Sequence, residues 1–533
     1  MNVSRRNFLL GSAAVTGFSM FGGCSLFNGP VAKVARGQKI RLAVCGIMGK
    51  GFTDWLPMIQ SGLAEIVAWC DADTAMRDKA LGNMSQAKFQ FPGFDFDKLS
   101  KVPFYTDYRQ LLDNCARLGV HAMTVSTPDH THAPVAIAAM KQGIHVYVQK
   151  PLVRTLWEND YFKRTAKEYG VITQMGNQGS AADGMRRGVE VLRSGILGEV
   201  KEVHVWTNRP VWPQGKGAAD ATLGAADPIP AGFNWDAWLG PAKDRPFKGK
   251  YGEGKKGYDP WNLCSNVYHP FSWRGFLDFG CGAFGDMACH TMNLPFRGLE
   301  LENITKAECK MIEDFNDIAY PMKSIVELTY AARDSKARPG VRLPEVKLTW
   351  WDGGNDKINH RPSPDLMPQV VASLGKVPVT GCLVVGSKGI LCSTNDYGGQ
   401  SFIALNDEKK VLDIFDHPAC KVIPTTLPRC KKAADDDKNV AVSGGGAAAV
   451  SVDGHYTEFL TAILEQGPTF EETNSRCYSD VDFSIPIMEG ILCGVVAQRI
   501  PMTVLNWNSK AQKFDNAQAN ALIRPYLRSG FTF

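Results

Sequence analysis

Residues 40–51 read Ile-Arg-Leu-Ala-Val-Cys-Gly-Ile-Met-Gly-Lys-Gly, and they determine the fold of the first part of the chain. The apolar run 40–45 ends at a glycine, which is typical of a buried parallel strand. A dinucleotide-binding turn has glycines at its first, third and sixth positions. Gly46 and Gly51 occupy the first and sixth, whereas Met48 stands at the third and Gly49 at the fourth. The stretch predicts a strand, a phosphate-binding turn and the start of a helix.

A second apolar run, residues 66–70, ends at Asp71, twenty residues beyond Gly51. A carboxylate at this strand end binds the hydroxyls of an adenosine ribose and repels an additional phosphate. We therefore predict an NAD site rather than an NADP site. The alternative is a glycine turn followed by a solvent-facing Asp.

Strand-like runs at 122–126 and 144–148 flank a helical pattern at 133–141, which stops at Gly143. Alternating strands and helices imply right-handed crossovers and a parallel sheet covered by helices on both faces. The predicted fold class is α/β, beginning with a Rossmann dinucleotide-binding domain.

Beyond about residue 190 the pattern changes to alternation at 200–206 and 341–351, as in half-buried strands. Residues 208–268 are rich in Gly, Pro, Trp and Lys and are predicted to form surface loops, and 431–450 a flexible excursion. Helical patterns return near 456–466 and 485–498. We predict a leader and linker at 1–37, an NAD-binding domain at 38–175, an α/β substrate domain at 176–505, and a C-terminal segment at 506–533 that packs back on the fold.

Length and composition limit the class of protein. A chain of 533 residues, 44% hydrophobic and 21% charged, is expected to form two or more globular domains. The net charge of +5 is small for this length, and no basic run is interleaved with aromatic residues. Nucleic acid is therefore excluded as an expected partner.

The first residues resemble an export signal. Arg5 and Arg6 precede an apolar run that reaches about Phe21, which is similar to a twin-arginine leader and too short for a membrane span. Small residues before Cys24 resemble a lipoprotein processing site. We expect a periplasmic protein with a lipid anchor at Cys24. The alternative is a cytosolic protein with an accidental arginine pair.

The chain has 14 cysteines, but their positions do not indicate a disulfide framework. Cys45 and Cys70 lie inside strand-like runs, which favours free buried thiols. No Cys/His spacing fits zinc, so no metal site is predicted. Cys420 and Cys430 are the one pair that we consider for a bridge.

Residues 280–290 read Gly-Cys-Gly-Ala-Phe-Gly-Asp-Met-Ala-Cys-His. Each glycine costs about 1 kcal/mol inside a helix, so the segment is expected to turn tightly or lie close to a ligand. Asp286 and His290 then stand four apart, on one face of a following helix. A carboxylate beside an imidazole suits proton transfer to a bound substrate. The alternative is a capped helix with a buried, hydrogen-bonded His.

An ordered set of motifs resembles the glucose–fructose oxidoreductase / inositol dehydrogenase family (Gfo/Idh/MocA), most strongly over residues 38–300. Its members carry an Asp and a His four apart after a glycine-rich stretch, as at Asp286 and His290. The other matching motifs are Ser126-Thr127-Pro128-Asp129-His130-Thr131-His132, Gln149-Lys150-Pro151-Leu152 and Trp273-Arg274. The family typically has Glu-Lys-Pro where this chain has Gln149-Lys150-Pro151.

The resemblance implies a Rossmann domain followed by an α/β domain whose open, mainly antiparallel sheet forms the floor of the active site. It implies that Lys150 and His290 are the catalytic pair, with Asp286 orienting the imidazole or binding a second sugar hydroxyl. It also implies a homo-oligomer built through the second sheet. For Lys150 the alternative is a surface lysine at a strand end, and for His132 a helix-capping side chain.

Two further sets of residues are predicted to line the site. The cofactor set comprises Gly46, Met48, Gly49, Gly51, Asp71, Thr127, Pro128, His132, Lys150, Trp273 and Arg274. The substrate set comprises Asn177, Gln178, His204 and Tyr268. Gln149 removes a charge beside Lys150, and we hypothesise that this lysine is easier to deprotonate than in relatives.

Three functions are compatible with these predictions. The first is an exported NAD(H)-dependent oxidoreductase with tightly bound cofactor, acting on a secondary hydroxyl of a sugar or glycoside. The second is an NAD-dependent glycoside hydrolase that works by transient oxidation and elimination, as in relatives that resemble NAD-dependent N-acetylgalactosaminidases. The third is a non-catalytic carbohydrate-binding lipoprotein.

Overall fold

Two β-sheets organise the chain in a computed structural model that describes residues 31–86, 95–249, 266–355, 357–429, 453–465 and 477–533. The strands are β1 Ile40–Cys45, β2 Ala64–Cys70, β3 Phe104–Tyr105, β4 Ala122–Val125, β5 His145–Val148, β6 Thr173–Met175, β7 Val200–Trp206, β8 Ile304–Glu313, β9 Lys323–Tyr330, β10 Arg333–Asp334, β11 Arg342–Leu343, β12 Val346–Asp352, β13 Gly381–Gly386, β14 Gly389–Ser393, β15 Ser401–Leu405, β16 Leu412–Asp413, β17 Leu505–Asn508 and β18 Lys513–Phe514.

The α-helices join and cover these sheets. They are α1 Lys50–Gln60, α2 Met76–Gln86, α3 Phe96–Ser100, α4 Tyr108–Leu118, α5 Asp129–Lys141, α6 Leu156–Tyr169, α7 Asp183–Arg193, α8 Gly215–Asp220, α9 Trp235–Leu239, α10 Gly282–Thr291, α11 Asn293–Gly298, α12 Pro368–Leu374, α13 Pro418–Lys421, α14 Asp453–Leu464, α15 Val481–Arg499 and α16 Ala517–Ala521. The leader at 1–30 with Cys24, the segment 431–450 and Cys430 lie outside the described residues.

The first sheet has six parallel strands in the order β3-β2-β1-β4-β5-β6, which is the order of a Rossmann domain. Successive side chains of β1 point to opposite faces: Leu42 and Val44 pack with Trp55 of α1, whereas Ala43 and Cys45 pack with Leu111 of α4. Helices therefore cover both faces, and the predicted α/β fold with an N-terminal Rossmann domain is confirmed.

One helix on the first sheet comes from far along the chain. Tyr456, Phe459 and Leu460 of α14 belong to the same buried cluster as Trp55 and Trp69. The Tyr456 ring centroid also lies 5.5 Å from that of Tyr147 on β5. Residues 453–464 thus complete the core of a domain that begins four hundred residues earlier.

The second sheet has ten strands in the order β16-β15-β14-β13-β7-β12-β9-β8-β17-β18. Only β7 and β12 pair in parallel among them, so the predicted open, mainly antiparallel sheet is confirmed. Helix α15 contacts β8 and β9, and Phe284 of α10 stacks on Trp350 of β12 at 4.7 Å. By length and hydropathy α15 could span a membrane, but 83% of its most apolar window is buried inside the protein.

The C-terminal residues return to the first domain. Strands β17 and β18 belong to the second sheet, so the boundary predicted at 506 falls inside it. Beyond them, Trp157 donates its backbone N–H to the Ile523 carbonyl, and the Phe533 ring lies 5.0 Å from that of Trp157. Arg528 forms ion pairs at 2.7 Å with Asp236 and 2.8 Å with Asp244.

Residues 208–249 and 266–268 differ from the predicted surface loops. They contain α8 and α9, and their aromatic side chains form a buried cluster of their own. Within it the Trp235 ring stacks on Trp238 at 4.9 Å and on Tyr268 at 5.8 Å. The high Trp content of this segment therefore builds a small hydrophobic core, which the loop prediction missed.

Candidate active site

The turn after β1 requires glycine for steric reasons. Gly46 has φ +85°, and a Cβ there would overlap the Ser126 carbonyl. A Cβ on Gly51 would overlap the Gly46 carbonyl, so this glycine lets α1 approach the strand closely. Gly49, with φ +63°, begins the helix, and Met48 packs at the edge of the first-sheet core. The glycine at the fourth position thus supplies the left-handed residue that this turn needs.

The residues around this turn fit a dinucleotide. Helix α1 has neither a side-chain cap nor an acidic residue in its first turn, so its first N–H groups and its dipole favour a phosphate. At the end of β2, Asp71 accepts hydrogen bonds from Ile47 N at 3.0 Å and Asp73 N at 3.1 Å. Its carboxylate therefore lies directly beside the turn, where the ribose of NAD would be held.

The side chains of Lys150, Asp286 and Arg274 meet between the two sheets. Lys150 follows β5, and its Nζ donates to Asp286 Oδ1 at 2.8 Å and to the Asp286 carbonyl at 3.2 Å. Arg274 Nε lies 3.3 Å from the same Oδ1. Burial acts to raise the pKa of Asp286, but the Lys150 and Arg274 charges outweigh it and hold that pKa at about 2. The carboxylate is ionised and fixes the Lys150 ammonium in place.

His290 lies one turn further along α10 and is buried. Among the described residues its Nδ1 has no hydrogen-bond partner. Burial, and then the Lys150 charge, hold the pKa of His290 well below its usual range, so the imidazole is neutral at neutral pH. It is a free base directly beside the Lys150–Asp286 pair.

Within the described residues Asp286 forms no hydrogen bond to His290, and its Oδ1 is engaged by Lys150 and Arg274. The alternative role, binding a second sugar hydroxyl, stays a prediction. Of the two alternatives for the glycines of 280–290, the tight turn is confirmed: Gly282 begins α10 at φ +64°, where a Cβ would stand 2.6 Å from the Tyr320 ring, and a Cβ on Gly280 would overlap the Arg274 backbone. They allow α10 to pack closely on the protein itself.

The turn between β4 and α5 contacts the Lys150-Pro151 turn through His132. His132 places Nδ1 2.7 Å from the Pro151 carbonyl and Nε2 2.8 Å from the Thr127 carbonyl. Burial lowers the pKa of His132 to about 4. Because both ring nitrogens face protein carbonyls, His132 fixes the Lys150-Pro151 turn, and its predicted contact with cofactor is not supported. Thr127 and Pro128 form the adjoining turn, where Pro128 precedes the first residue of α5.

Asn177 and Gln178, predicted to bind substrate, follow β6 and are buried. Asn177 donates to the Cys289 carbonyl at 3.3 Å. In the part of the chain that the structure describes, Asn177 Oδ1 and Gln178 Oε1 have no hydrogen-bond partner. Unsatisfied buried oxygens are costly in a folded protein, so both positions are suited to donors on a bound molecule.

The other two predicted substrate residues lie elsewhere. On β7, Val203 and Val205 face the helices between the sheets, so His204 points to the opposite face, where its Nε2 lies 2.7 Å from Glu202 Oε1. Tyr268 is buried in the aromatic cluster, and burial raises its pKa to about 12. Trp273 belongs to the same cluster and donates Nε1–H to the Pro270 carbonyl, which gives it a packing role rather than the predicted cofactor contact.

Several site residues were missed by the sequence analysis. The Tyr397 ring lies edge-on to His290 at 4.9 Å, in a position that the absence of a side chain at Gly179 permits. Asp129, the first residue of α5, is buried with Oδ1 unpartnered. Burial and the nearby Asp286 charge raise its pKa to about 8. No local motif marks Tyr397, whereas Asp129 lies inside the Ser126–His132 motif and could have been examined.

Gln149 binds Asp54, and its hypothesised effect on Lys150 stays a prediction. Its Nε2 donates to both oxygens of Asp54, at 3.0 and 2.9 Å, and the Lys150 ammonium is directed instead to Asp286. Gln149, which stands where the family typically has Glu, thus donates its hydrogen bonds to a neighbouring carboxylate.

Free thiols occupy the interior, as predicted. The eleven cysteines in the described ranges, Cys420 among them, are buried and unbridged. The considered partner, Cys430, falls outside those ranges.

Comparison with known proteins supports the nucleotide-binding part of the chain. Residues 40–177 match the family model "GFO_IDH_MocA: Oxidoreductase family, NAD-binding Rossmann fold". Over 201 residues the chain is 26% identical to "Glycosyl hydrolase family 109 protein" of Stenotrophomonas maltophilia, covering 37% of this chain and 40% of that protein. It is 28% identical over 173 residues to "Alpha-N-acetylgalactosaminidase" of Shewanella oneidensis, covering 30% and 35%. The match therefore spans less than half the length of these curated relatives.

Solved structures share the whole architecture. An inositol dehydrogenase homolog from Azotobacter vinelandii, complexed with NADH and myo-inositol, superposes with a TM-score of 0.51 at 15% identity, over 90% of this chain and 100% of that one. An oxidoreductase from Pseudomonas syringae gives 0.53 at 15% identity, over 88% and 99%. At this identity the likeness establishes the fold. The turn and the strand order identify an NAD-binding Rossmann domain, and residues 40–177 within it match the Gfo/Idh/MocA oxidoreductase family model.

Proposed function

We propose that this chain uses tightly bound NAD to oxidise a secondary hydroxyl of a sugar or glycoside. The observation that carries the proposal is a neutral His290, with Nδ1 unpartnered among the described residues, near a Lys150 ammonium that Asp286 holds in place, with Arg274 paired to the same carboxylate. These groups lie just beyond β5, at the carboxyl end of the sheet where Rossmann domains bind dinucleotides. Such an arrangement is suited to removing a hydroxyl proton while stabilising the charge on its oxygen.

Each side chain of the site has its own role in the proposed oxidation. NAD⁺, when bound, supplies the acceptor for the hydride that leaves the carbinol carbon. His290 accepts the hydroxyl proton on a ring nitrogen, and the O–H bonding pair becomes the second C–O bond of the ketone. Lys150 donates a hydrogen bond to that oxygen as negative charge develops. Asp286 keeps Lys150 aligned, and Asn177 and Gln178 offer acceptors to neighbouring hydroxyls.

The test combines cofactor release with a substrate panel. Protein purified without added NAD is denatured, the supernatant is assayed for NAD(H), and the intact protein is screened at 340 nm against sugars and glycosides. We expect stoichiometric dinucleotide, and Lys150→Met and His290→Gln should each lower kcat by about 10²-fold or more. Lys163→Met on the exposed face of α6 is the matched control. Activity that survives both substitutions would refute these assignments.

A second candidate function is NAD-dependent glycoside hydrolysis. The names of the relatives from Stenotrophomonas and Shewanella favour it, although the chain matches less than half of each. In this route the ketone acidifies the neighbouring C–H, the aglycone leaves by elimination, water adds, and the hydride returns to carbon. Asp129, whose raised pKa keeps it protonated near neutral pH, is a buried acid in the same region.

The two functions give different products. Release of nitrophenol from an aryl glycoside without added NAD, and without net absorbance at 340 nm, indicates hydrolysis. Stoichiometric reduction of the bound cofactor by a free sugar indicates a dehydrogenase. Purified protein without dinucleotide, which nonetheless retains a sugar, would instead support the carbohydrate-binding alternative.

We also propose export by the twin-arginine route, with lipidation at Cys24 and assembly of a homo-oligomer. The support is the Arg5-Arg6 motif and its apolar run, and for the oligomer the family resemblance. Cell fractionation of the native chain and of Arg5→Lys/Arg6→Lys tests the route, metabolic labelling with palmitate tests Cys24, and light scattering tests the oligomer.

A further inference from the structure

A buried carboxylate that the proposed chemistry does not use lies behind the cofactor turn. Asp54, on the second turn of α1, has no solvent exposure. Its Oδ1 accepts from Lys50 Nζ at 2.8 Å, Tyr456 OH at 2.9 Å and Gln149 Nε2 at 3.0 Å. Its Oδ2 accepts from Ser126 Oγ at 2.8 Å and from the same Gln149 nitrogen at 2.9 Å. Every lone pair of the carboxylate is used within the protein.

The hydrogens of the Lys50 ammonium are also used within the protein. Besides Asp54, it donates to Thr53 Oγ1 at 3.1 Å and to Tyr456 OH at 3.1 Å. An ammonium has three hydrogens, and all three have protein acceptors. Lys50, although it lies in the phosphate-binding turn, therefore ties that turn to α14.

The Gln149 amide is held in its position from the other side. A Cβ on Gly176 would overlap the Gln149 side-chain amide, so a glycine is required at 176 for the amide to reach Asp54. Gln149 immediately precedes Lys150. The bond between Gln149 and Asp54 therefore fixes the strand end that carries the proposed catalytic lysine.

Four separate segments thus converge on one carboxylate: the cofactor turn through Lys50, the end of β4 through Ser126, the end of β5 through Gln149, and α14 through Tyr456. Burying such a network seldom stabilises a fold more than apolar side chains of the same volume would. What it adds is one defined arrangement of its members.

We propose that Asp54 is a positioning residue for NAD. Its carboxylate sets the cofactor turn in a fixed relation to the strand end that carries Lys150, and loosening it weakens cofactor retention before it unfolds the protein. The inference concerns NAD binding, which the fold and family establish, and it holds whichever hydroxyl is oxidised.

The test exchanges the carboxylate of Asp54 and the amide of Gln149 by an isosteric substitution at each position. Asp54→Asn leaves Lys50 without its counter-ion, and Gln149→Glu sets two carboxylates against each other. We expect each to raise the NAD dissociation constant of the full-length protein at least tenfold. The double variant Asp54→Asn/Gln149→Glu restores one carboxylate and one amide, and should recover most of that loss.

Binding is measured by calorimetry and by the rate at which NADH fluorescence is lost on dilution, well below each variant's melting temperature. Asp97→Asn, an exposed carboxylate with an i,i+4 lysine partner, is the matched control and should bind NAD as the native chain does. If Asp54→Asn fails to fold, Ser126→Ala and Tyr456→Phe take its place in the test. Each removes one hydrogen bond to Asp54 and should raise the NAD dissociation constant about threefold.

Additive losses in the double variant, or single variants that bind NAD within twofold of the native chain, would overturn the proposal. A network that is only structural would lower the melting temperature without changing the NADH release rate. Absence of sugar oxidation in any of these proteins would leave the binding result intact, so the two proposals fail separately.

Discussion

At the scale of single residues, the site is a set of charges that determine one another. Lys150 and Arg274 keep Asp286 ionised, and the Lys150 charge adds to burial in keeping His290 neutral. A neutral imidazole can accept a proton, whereas an ionised carboxylate can hold a lysine but accepts a proton only in strong acid. The contacts of these two side chains, one helical turn apart, are the basis for proposing Asp286, which pairs with Lys150 and Arg274, as the anchor and His290 as the base.

Replacing Asp286 with Asn should destabilise the protein by about 3 kcal/mol at pH 7, because two largely buried cations lose their buried counter-ion. The pKa of this carboxyl is lowered in the fold, so its contribution is complete above about pH 4 and is lost as pH falls through 2. Urea unfolding at pH 7 measures the change. Asp160→Asn, which breaks a more exposed pair with Arg164, should cost less than about 1 kcal/mol. Equal losses in the two variants would contradict this account.

At the scale of elements, helix α10 shows how packing overrides local propensity. Its glycines predicted an irregular segment, yet residues 282–291 are helical and buried. Gly282 begins the helix at φ +64° against the Tyr320 ring, and Phe284 stacks on Trp350. The close approach allows contacts that exceed the cost of about 1 kcal/mol for a helical glycine. Both Asp286 and His290 depend on this placement.

Gly282→Ala should therefore destabilise the protein by about 2 kcal/mol or more and lower activity as well, because the new Cβ is strained at positive φ and clashes with Tyr320. Thermal melts and kcat on the same preparations measure both effects. Gly82→Ala in α2 is the matched control: nothing lies within 4 Å of its Cβ, so it should stabilise by about 0.5–1 kcal/mol. Stability changes of the same sign in the two variants would contradict the steric argument.

The limits of sequence reasoning follow from the same elements. The bounds of β1 and β7 could be predicted because apolar runs and alternation are local properties. Lys150, Asp286 and His290 were found because they lie in ordered motifs. His204 was misplaced because alternation shows that two faces exist without showing which one meets the site. Tyr397 was missed because its contact with His290 depends on packing between distant segments.

At the scale of the whole molecule, buried histidines and buried carboxyls have opposite effects on how stability changes with pH in acid. Burial lowers the pKa of His130 and His455 to about 3 and of His132 and His145 to about 4, and His290 shifts the same way. Unfolding in acid lets these groups take up protons. Burial raises the pKa of Asp129 to about 8, of Asp352 to about 7 and of Asp480 to about 6, which works in the opposite sense.

Five histidines outnumber three carboxyls among these groups, so the eight together should bind about two protons net when the protein unfolds at pH 5. Stability should then fall by about 3 kcal/mol per pH unit there, and be nearly flat around pH 7. Urea unfolding from pH 7.5 to 4.5 measures the slope. His145→Asn, which keeps an acceptor for Ile172 N, should lower the slope at pH 5 by about 1.4 kcal/mol per unit. An unchanged slope would mean that His145 is already protonated in the folded state.

The position of α14 has a consequence for how the protein is made. Domains generally fold from the N-terminus as the chain leaves the ribosome. Here the first sheet is fully synthesised after residue 175, but Trp55, Trp69 and Tyr147 lack their covering helix until residues 453–464 have been translated. At ordinary elongation rates that interval lasts tens of seconds. During it the nascent nucleotide-binding domain exposes an apolar face to chaperones, and NAD can be captured in its final setting only after residue 464 has been made.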